Sequence, residues 1–185
     1  MKPCPLTEPE KRALLGLARS TIASWLGRPD APPADDALPD GNGGAFVSLH
    51  RRGTLRGCIG TFATDQPVVA TVRDMAVAAA SSDPRFPPLG ADELDDVDLE
   101  ISVLSPRWRA TSIDEIQVGV HGLSIQRGAH RGVLLPQVAT RFGWDRETFL
   151  EETCRKAGLP ADAWRDPATR LELFTAEVFA EDDPA

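Results

Sequence analysis

The feature that most restricts the fold is a repeat within the chain. Val47-Ser48-Leu49-His50-Arg51-Arg52-Gly53-Thr54-Leu55-Arg56-Gly57 lies over Leu123-Ser124-Ile125-Gln126-Arg127-Gly128-Ala129-His130-Arg131-Gly132 with Arg52 unmatched, and Ser, Arg, Gly, Arg and Gly coincide. Further on, Pro67-Val68-Val69-Ala70-Thr71 matches Pro136-Gln137-Val138-Ala139-Thr140, and Leu99-Glu100-Ile101 matches Leu171-Glu172-Leu173, in the same order. A copy of this size cannot bury its own apolar faces. Two related strand and helix repeats, about 45–104 and about 120–179, are therefore expected to share one sheet system inside a single domain of residues 1–185. The fold class is α+β, with a cleft lined by the Leu55–Gly60 loop as the natural binding place.

The hydrophobic pattern supplies the elements. Thr7 and Glu10 form a capping box, and Leu14, Leu15, Ala18, Ile22 and Leu26 recur at helical spacing until Gly27 and Pro29 stop them. Residues 28–44, rich in Pro, Gly and Asp, read as an exposed connector. Phe46–Leu49 reads as a strand, Arg51–Thr54 as a turn and Leu55–Ile59 as a second strand or strand-like loop, together a hairpin. Asp65 is placed to cap a helix bearing Val68, Val69, Val72, Met75, Ala76 and Ala79, which ends before Asp83-Pro84 because a residue preceding proline resists helical geometry. Leu99, Ile101 and Val103 alternate with Glu100 and Ser102, the pattern of a strand with one buried face.

The second copy reads in the same way. Val120–Gln126 is strand-like, Arg127–His130 holds a turn glycine, and Val133–Leu135 leads to Pro136. Asp145 then caps a helix with Phe149, Leu150, Cys154 and Ala157 facing inward, and Glu151 with Arg155 and Glu152 with Lys156 pairing outward. Gly158 and Pro160 stop it, and Leu171–Val178 is the last strand.

Composition narrows the function. Twenty Lys and Arg against 28 Asp and Glu give a net charge of −8, which opposes nonspecific attraction to nucleic-acid phosphates or anionic lipid. Trp25, Trp108, Trp144 and Trp164 are dispersed rather than interleaved with basic residues, so nucleic acid is not an expected partner, although Arg51, Arg52 and Arg56 cluster locally. No apolar run is long enough to span a bilayer and no apolar leader follows Lys2, so a cytoplasmic protein is expected. Cys4, Cys58 and Cys154 form no CxxC pair and are odd in number, which indicates neither a disulfide framework nor a thiolate zinc site. The sequence calls for no metal and no cofactor, and it contains no Walker loop, dinucleotide fingerprint or nucleophile elbow.

The candidate chemistry lies at Cys58. Arg56-Gly57 recurs as Arg131-Gly132, but Cys58 is Val133 in the second copy, so the thiol is the element that differs. On an extended strand Arg56 and Cys58 share one face, and a guanidinium beside a thiol favours the thiolate. Gly57 and Gly60 leave room for a ligand or another backbone to approach. A small buried residue packed between glycines accounts for the same pattern, and both readings stand. A nucleophilic cysteine needs a base; of His50, His121 and His130, the preferred partner is His121, at the start of the second-copy strand. Arg85, in Asp83-Pro84-Arg85-Phe86, is a candidate anion contact in the same cleft, or belongs to a helix exit pinned by an aromatic. Cys154 lies on its helix's apolar stripe and reads as core.

Leu55-Arg56-Gly57-Cys58-Ile59-Gly60 resembles the hallmark hexapeptide of the AMMECR domain family, component A of the AmmeMemoRadiSam system in prokaryotes. Asp83–Phe86, Glu100–Pro106, Val120–Leu123, Leu134–Val138 and Cys154–Pro160 resemble other family segments, so the likeness covers most of the chain. It implies an α+β fold of two related repeats with the hexapeptide lining a cleft. It also implies an accessory role in a multi-protein pathway with a Memo-like protein and a radical S-adenosylmethionine enzyme as partners. In that role Arg56, Gly57, Gly60 and Arg85 are expected to bind a partner or a small ligand, an anion among the candidates. The alternatives are an enzyme using Cys58 as nucleophile with His121, and a regulatory protein associated with nucleic acid.

Overall fold

The computed structural model describes residues 5–28, 37–63 and 65–181. They form four α-helices and seven strands in two compact units, one made of the chain up to Leu104 together with Glu177 onward, the other of Ser105–Ala176.

Unit 1 opens with α1 (Glu8–Trp25). Thr7 accepts the Glu10 N–H, and the Glu10 carboxylate reaches back to the Thr7 N–H at 2.7 Å, so the expected capping box is present. The hairpin follows: β1 (Gly44–Arg51) and β2 (Thr54–Thr61) are antiparallel and joined by Arg52 and Gly53, both with left-handed φ (51° and 73°), which suits the right-handed twist of a two-residue hairpin. The Leu55–Gly60 segment, read as a second strand or strand-like loop, lies within β2. Helix α2 (Val68–Ser81) lies across β1 and β2, and β3 (Val97–Leu104) pairs with the other side of β1. Residues 177–181 run beside β3, where the Glu181 N–H donates to the Leu99 carbonyl (3.0 Å). Ala45, Val47, Leu49, Leu99 and Ile101 turn one sheet face to α1 and α2 and close the core with Phe179.

Three expectations change here. Asp65 does not cap α2; the N-cap is Pro67, whose fixed φ suits the position and whose side chain donates no cap. In β3 the alternation fails at its end, where Ser102 is buried and Val103 is only partly so. Of the connector expected to be exposed, residues 29–36 lie outside the described residues, while Leu38 packs against the unit 1 core.

In unit 2, β5 (His121–Arg127) pairs with β6 (His130–Leu134) on one side, and on the other with β7 (Arg170–Ala180), a strand that continues into unit 1. A short β4 (Trp108–Arg109) pairs with β7. Pro136 starts α3 (Pro136–Phe142), a helix the periodicity did not single out. Helix α4 (Arg146–Lys156) is capped by Asp145, which accepts the Thr148 N–H at 2.8 Å, and it buries Phe149, Leu150 and Cys154 as expected. Arg155 pairs with both Glu151 and Glu152. Among the described residues no helix is long and apolar enough to cross a membrane.

Candidate functional site

Cys58 lies near the middle of β2, directly opposite Ser48 on β1. Its own N–H donates to Asp83 Oδ2 (2.8 Å) and its carbonyl accepts from Arg85 Nη2 (3.4 Å). Both backbone groups thus face away from β1, which makes Ser48 and Cys58 a narrow, non-hydrogen-bonded pair whose side chains come close. The Ser48 hydroxyl accordingly donates to Cys58 Sγ at 3.2 Å. Strand alternation puts this pair on the sheet face opposite the one covered by α1 and α2, and Cys58 remains partly exposed.

The segment Asp83–Arg85 holds this edge of the sheet. Asp83, its side chain 2% exposed, accepts from the Cys58 and Arg85 N–H groups and from the Arg85 guanidinium. The Arg85 pair and these backbone donors hold the carboxyl far below the usual aspartate range against the cost of burial. An edge strand with open N–H and C=O groups is a template for unwanted pairing, and here two side chains occupy them. The Arg85 guanidinium also lies over the Phe86 ring, 5.5 Å from its centroid.

Arg56 is placed differently from the sequence expectation. Leu49 pairs with Gly57 but His50 pairs with Leu55, which leaves Arg56 as the extra residue of a bulge. The bulge breaks the strict alternation that would have put Arg56 beside the sulfur. Its guanidinium binds Glu93 (2.8 Å) and donates to the Pro87 carbonyl (2.9 Å). Arg56, with the Gly90 N–H and Arg51, holds the Glu93 carboxyl down to about 2.

The room at Gly57 and Gly60, expected to serve a ligand or another backbone, is taken up by the protein itself. A Cβ at Gly57 would strike the Ala79 carbonyl of α2, and one at Gly60 would enter the Phe46 ring. In unit 2, a Cβ at Gly132 would come 2.5 Å from Ala157 N at the end of α4. Gly57 and Gly132 let helix and strand approach closely.

His121 belongs to unit 2, at the start of β5; its Nδ1 accepts the Gln117 N–H (3.2 Å) and its ring meets Trp108 edge to face at 5.4 Å. Cys154 is fully buried, and burial pushes its thiol up.

A model of the AMMECR1 family matches residues 15–179. The chain belongs to the AMMECR1 family. It is 46% identical to a protein of Methanothermobacter thermautotrophicus over 98% of this chain and 100% of the relative, and 43% identical to one of Thermococcus gammatolerans over 92% and 90%. The crystal structure of protein PH0010 from Pyrococcus horikoshii is similar throughout: TM-score 0.82, 40% identity, covering 96% of this chain and 93% of that one. In this AMMECR1-family chain, sequence reasoning singled out Cys58 and Arg85 but not three of the residues that surround them. Asp83 was read as a helix stop, Ser48 as a repeat match, and Glu93 was given no role. For Ser48 a signal existed, since a hairpin with a known turn fixes which residue faces Cys58.

Proposed function

We propose that β2 is the binding strand of an accessory protein, with Cys58 presented to a small ligand or partner rather than used as a nucleophile. The observation that carries this is the Cys58 peptide itself: Asp83 and Arg85 hold both of its backbone groups while Ser48 orients the sulfur. Arg56, the cation expected to activate the thiol, is engaged by Glu93, and Ser48 is the group hydrogen-bonded to Sγ. A hydroxyl donating to sulfur orients it without removing its proton.

The internal duplication is part of the same reading. In unit 1 the order is β2-β1-β3, with Ser48 between Cys58 and Glu100; in unit 2 it is β6-β5-β7, with Ser124 between Val133 and Glu172. Equivalent register across three strands supports descent of both units from one ancestor, the unit 1 copy having gained the thiol. The family resemblance adds the pathway, with the Memo-like protein and the radical S-adenosylmethionine enzyme as partners.

The test is co-purification of the tagged protein with the Memo-like partner from the same organism. Alkylation of Cys58 by N-ethylmaleimide is expected to abolish it by bulk, while Cys58→Ala keeps it. Retention of the partner by the alkylated protein would overturn the binding-strand reading. Loss of pathway turnover in Cys58→Ala with binding intact would favour the nucleophile.

A further inference from the structure

We propose that Glu100 is the charge-selecting residue of the Cys58 site, so that the small ligand it accepts carries an ammonium or similar cationic group; this rests on the reading of β2 as the binding strand. Glu100 lies on β3 directly opposite Ser48, and Ser48 lies directly opposite Cys58. The three side chains form a row across three strands on the face away from α1 and α2. With strands about 4.8 Å apart, the carboxylate-bearing and sulfur-bearing positions are about 10 Å apart, the span of a small bifunctional molecule lying over Ser48.

The second unit shows what an equivalent carboxylate does when its role is structural. Glu172, opposite Ser124, is paired with Arg170 (2.6 Å) and Arg107 (3.7 Å). Glu100 is also partly buried, yet among the described residues it has no ion pair and no side-chain hydrogen bond. A carboxylate withdrawn from water without a partner is costly, and a bound cation removes that cost. The neighbouring cations are committed elsewhere, Arg56 to Glu93 and Arg85 to Asp83. The next row on this face, His50 opposite Asp98, adds a second acid. An anionic ligand would therefore find one or two carboxylates facing it, while Arg56 and Arg85, the arginines described beside Cys58, are already paired with carboxylates.

Charged thiol reagents test this without knowledge of the natural ligand. In a Cys4→Ser background, the rates of Cys58 modification near neutral pH are compared for trimethylammonioethyl, sulfonatoethyl and methyl methanethiosulfonate. In each case the Cys58 thiolate attacks the sulfenyl sulfur, methanesulfinate leaves and a mixed disulfide forms. The cation-to-anion rate ratio cancels any difference in thiolate fraction and reads the local potential alone. The expected ratio is about tenfold above that of an unstructured cysteine peptide, collapsing to within about twofold of it in Glu100→Gln. It should shrink in wild type at about 1 M salt, where the screening length falls to about 3 Å; this arm needs no variant. A ratio equal to the peptide's, a preference for the anionic reagent, or a ratio untouched by Glu100→Gln in a folded protein overturns the proposal while leaving the binding strand standing. Failure of even the neutral methyl reagent to modify Cys58 until the chain is denatured removes the binding strand and this proposal together.

Discussion

Around Cys58 the decisive residues are carboxylates. Asp83 and Glu93 each tie an arginine to a neighbouring backbone, and each is held below its ordinary pKa, Glu93 to about 2 from 4.5. A depressed folded pKa means that the carboxylate stabilises the fold fully above the unfolded value and loses that contribution as the pH falls through the folded one. For Glu93 the window therefore runs from about 4.5 down to about 2. Glu93→Gln is expected to lower stability by about 1–3 kcal/mol at neutral pH, with the gap to wild type closing across that window. Urea unfolding at several acid pH values measures it; a gap independent of pH would mean that the Arg56 pair contributes through packing alone. The sequence marked Arg56 as important, but its target was out of reach of pattern, because Glu93 is 37 residues away and meets it only through the bulge.

The hairpin of β1 and β2 depends on two glycines with opposite demands. Gly53 needs a left-handed φ of 73° and has open space around it, whereas Gly57 has ordinary backbone and no space at all against Ala79. Gly53→Ala should cost about 1 kcal/mol, the strain of the turn. Gly57→Ala should cost about 3 kcal/mol or more, because α2 must move off the strand. Thermal midpoints and near-ultraviolet circular dichroism of the two variants separate these effects, and equal costs would contradict the close docking of α2. The strands other than the two-residue β4, together with α1, α2 and α4, were legible because most have an apolar face of clear period or a chemical stop. The shorter α3 was not, since seven residues hold too few turns to show a period.

The chain as a whole is not divided where its order suggests. Unit 1 takes in the C-terminal segment: Glu177 accepts the Leu6 N–H (3.1 Å), Phe179 enters the core, and Glu181 binds Arg19 (2.5 Å) and the Leu99 N–H (2.9 Å). A chain ending at Ala176 is expected to lose at least about 3 kcal/mol of unit 1 stability, since the buried ring alone is of that size. Hydrogen exchange should locate the loss in α1 and β3. Unchanged protection there would show that the terminal segment is dispensable to the unit 1 core.

From the sequence alone came the α+β class, the Thr7–Glu10 capping box and the helix stops, the buried Cys154, the family and the choice of Cys58. All of these depend on local chemistry or on patterns that repeat along the chain. Tertiary structure decided what surrounds the sulfur. Only pairing across strands sets Ser48 and Glu100 in line with Cys58, and only the bulge turns Arg56 to Glu93. Only the chain's turn after α2 brings Asp83 and Arg85 onto the Cys58 peptide. Those contacts join residues 10 to 52 positions apart, and at such separations the geometry of the packed sheet and helices, rather than local propensity, selects the partner.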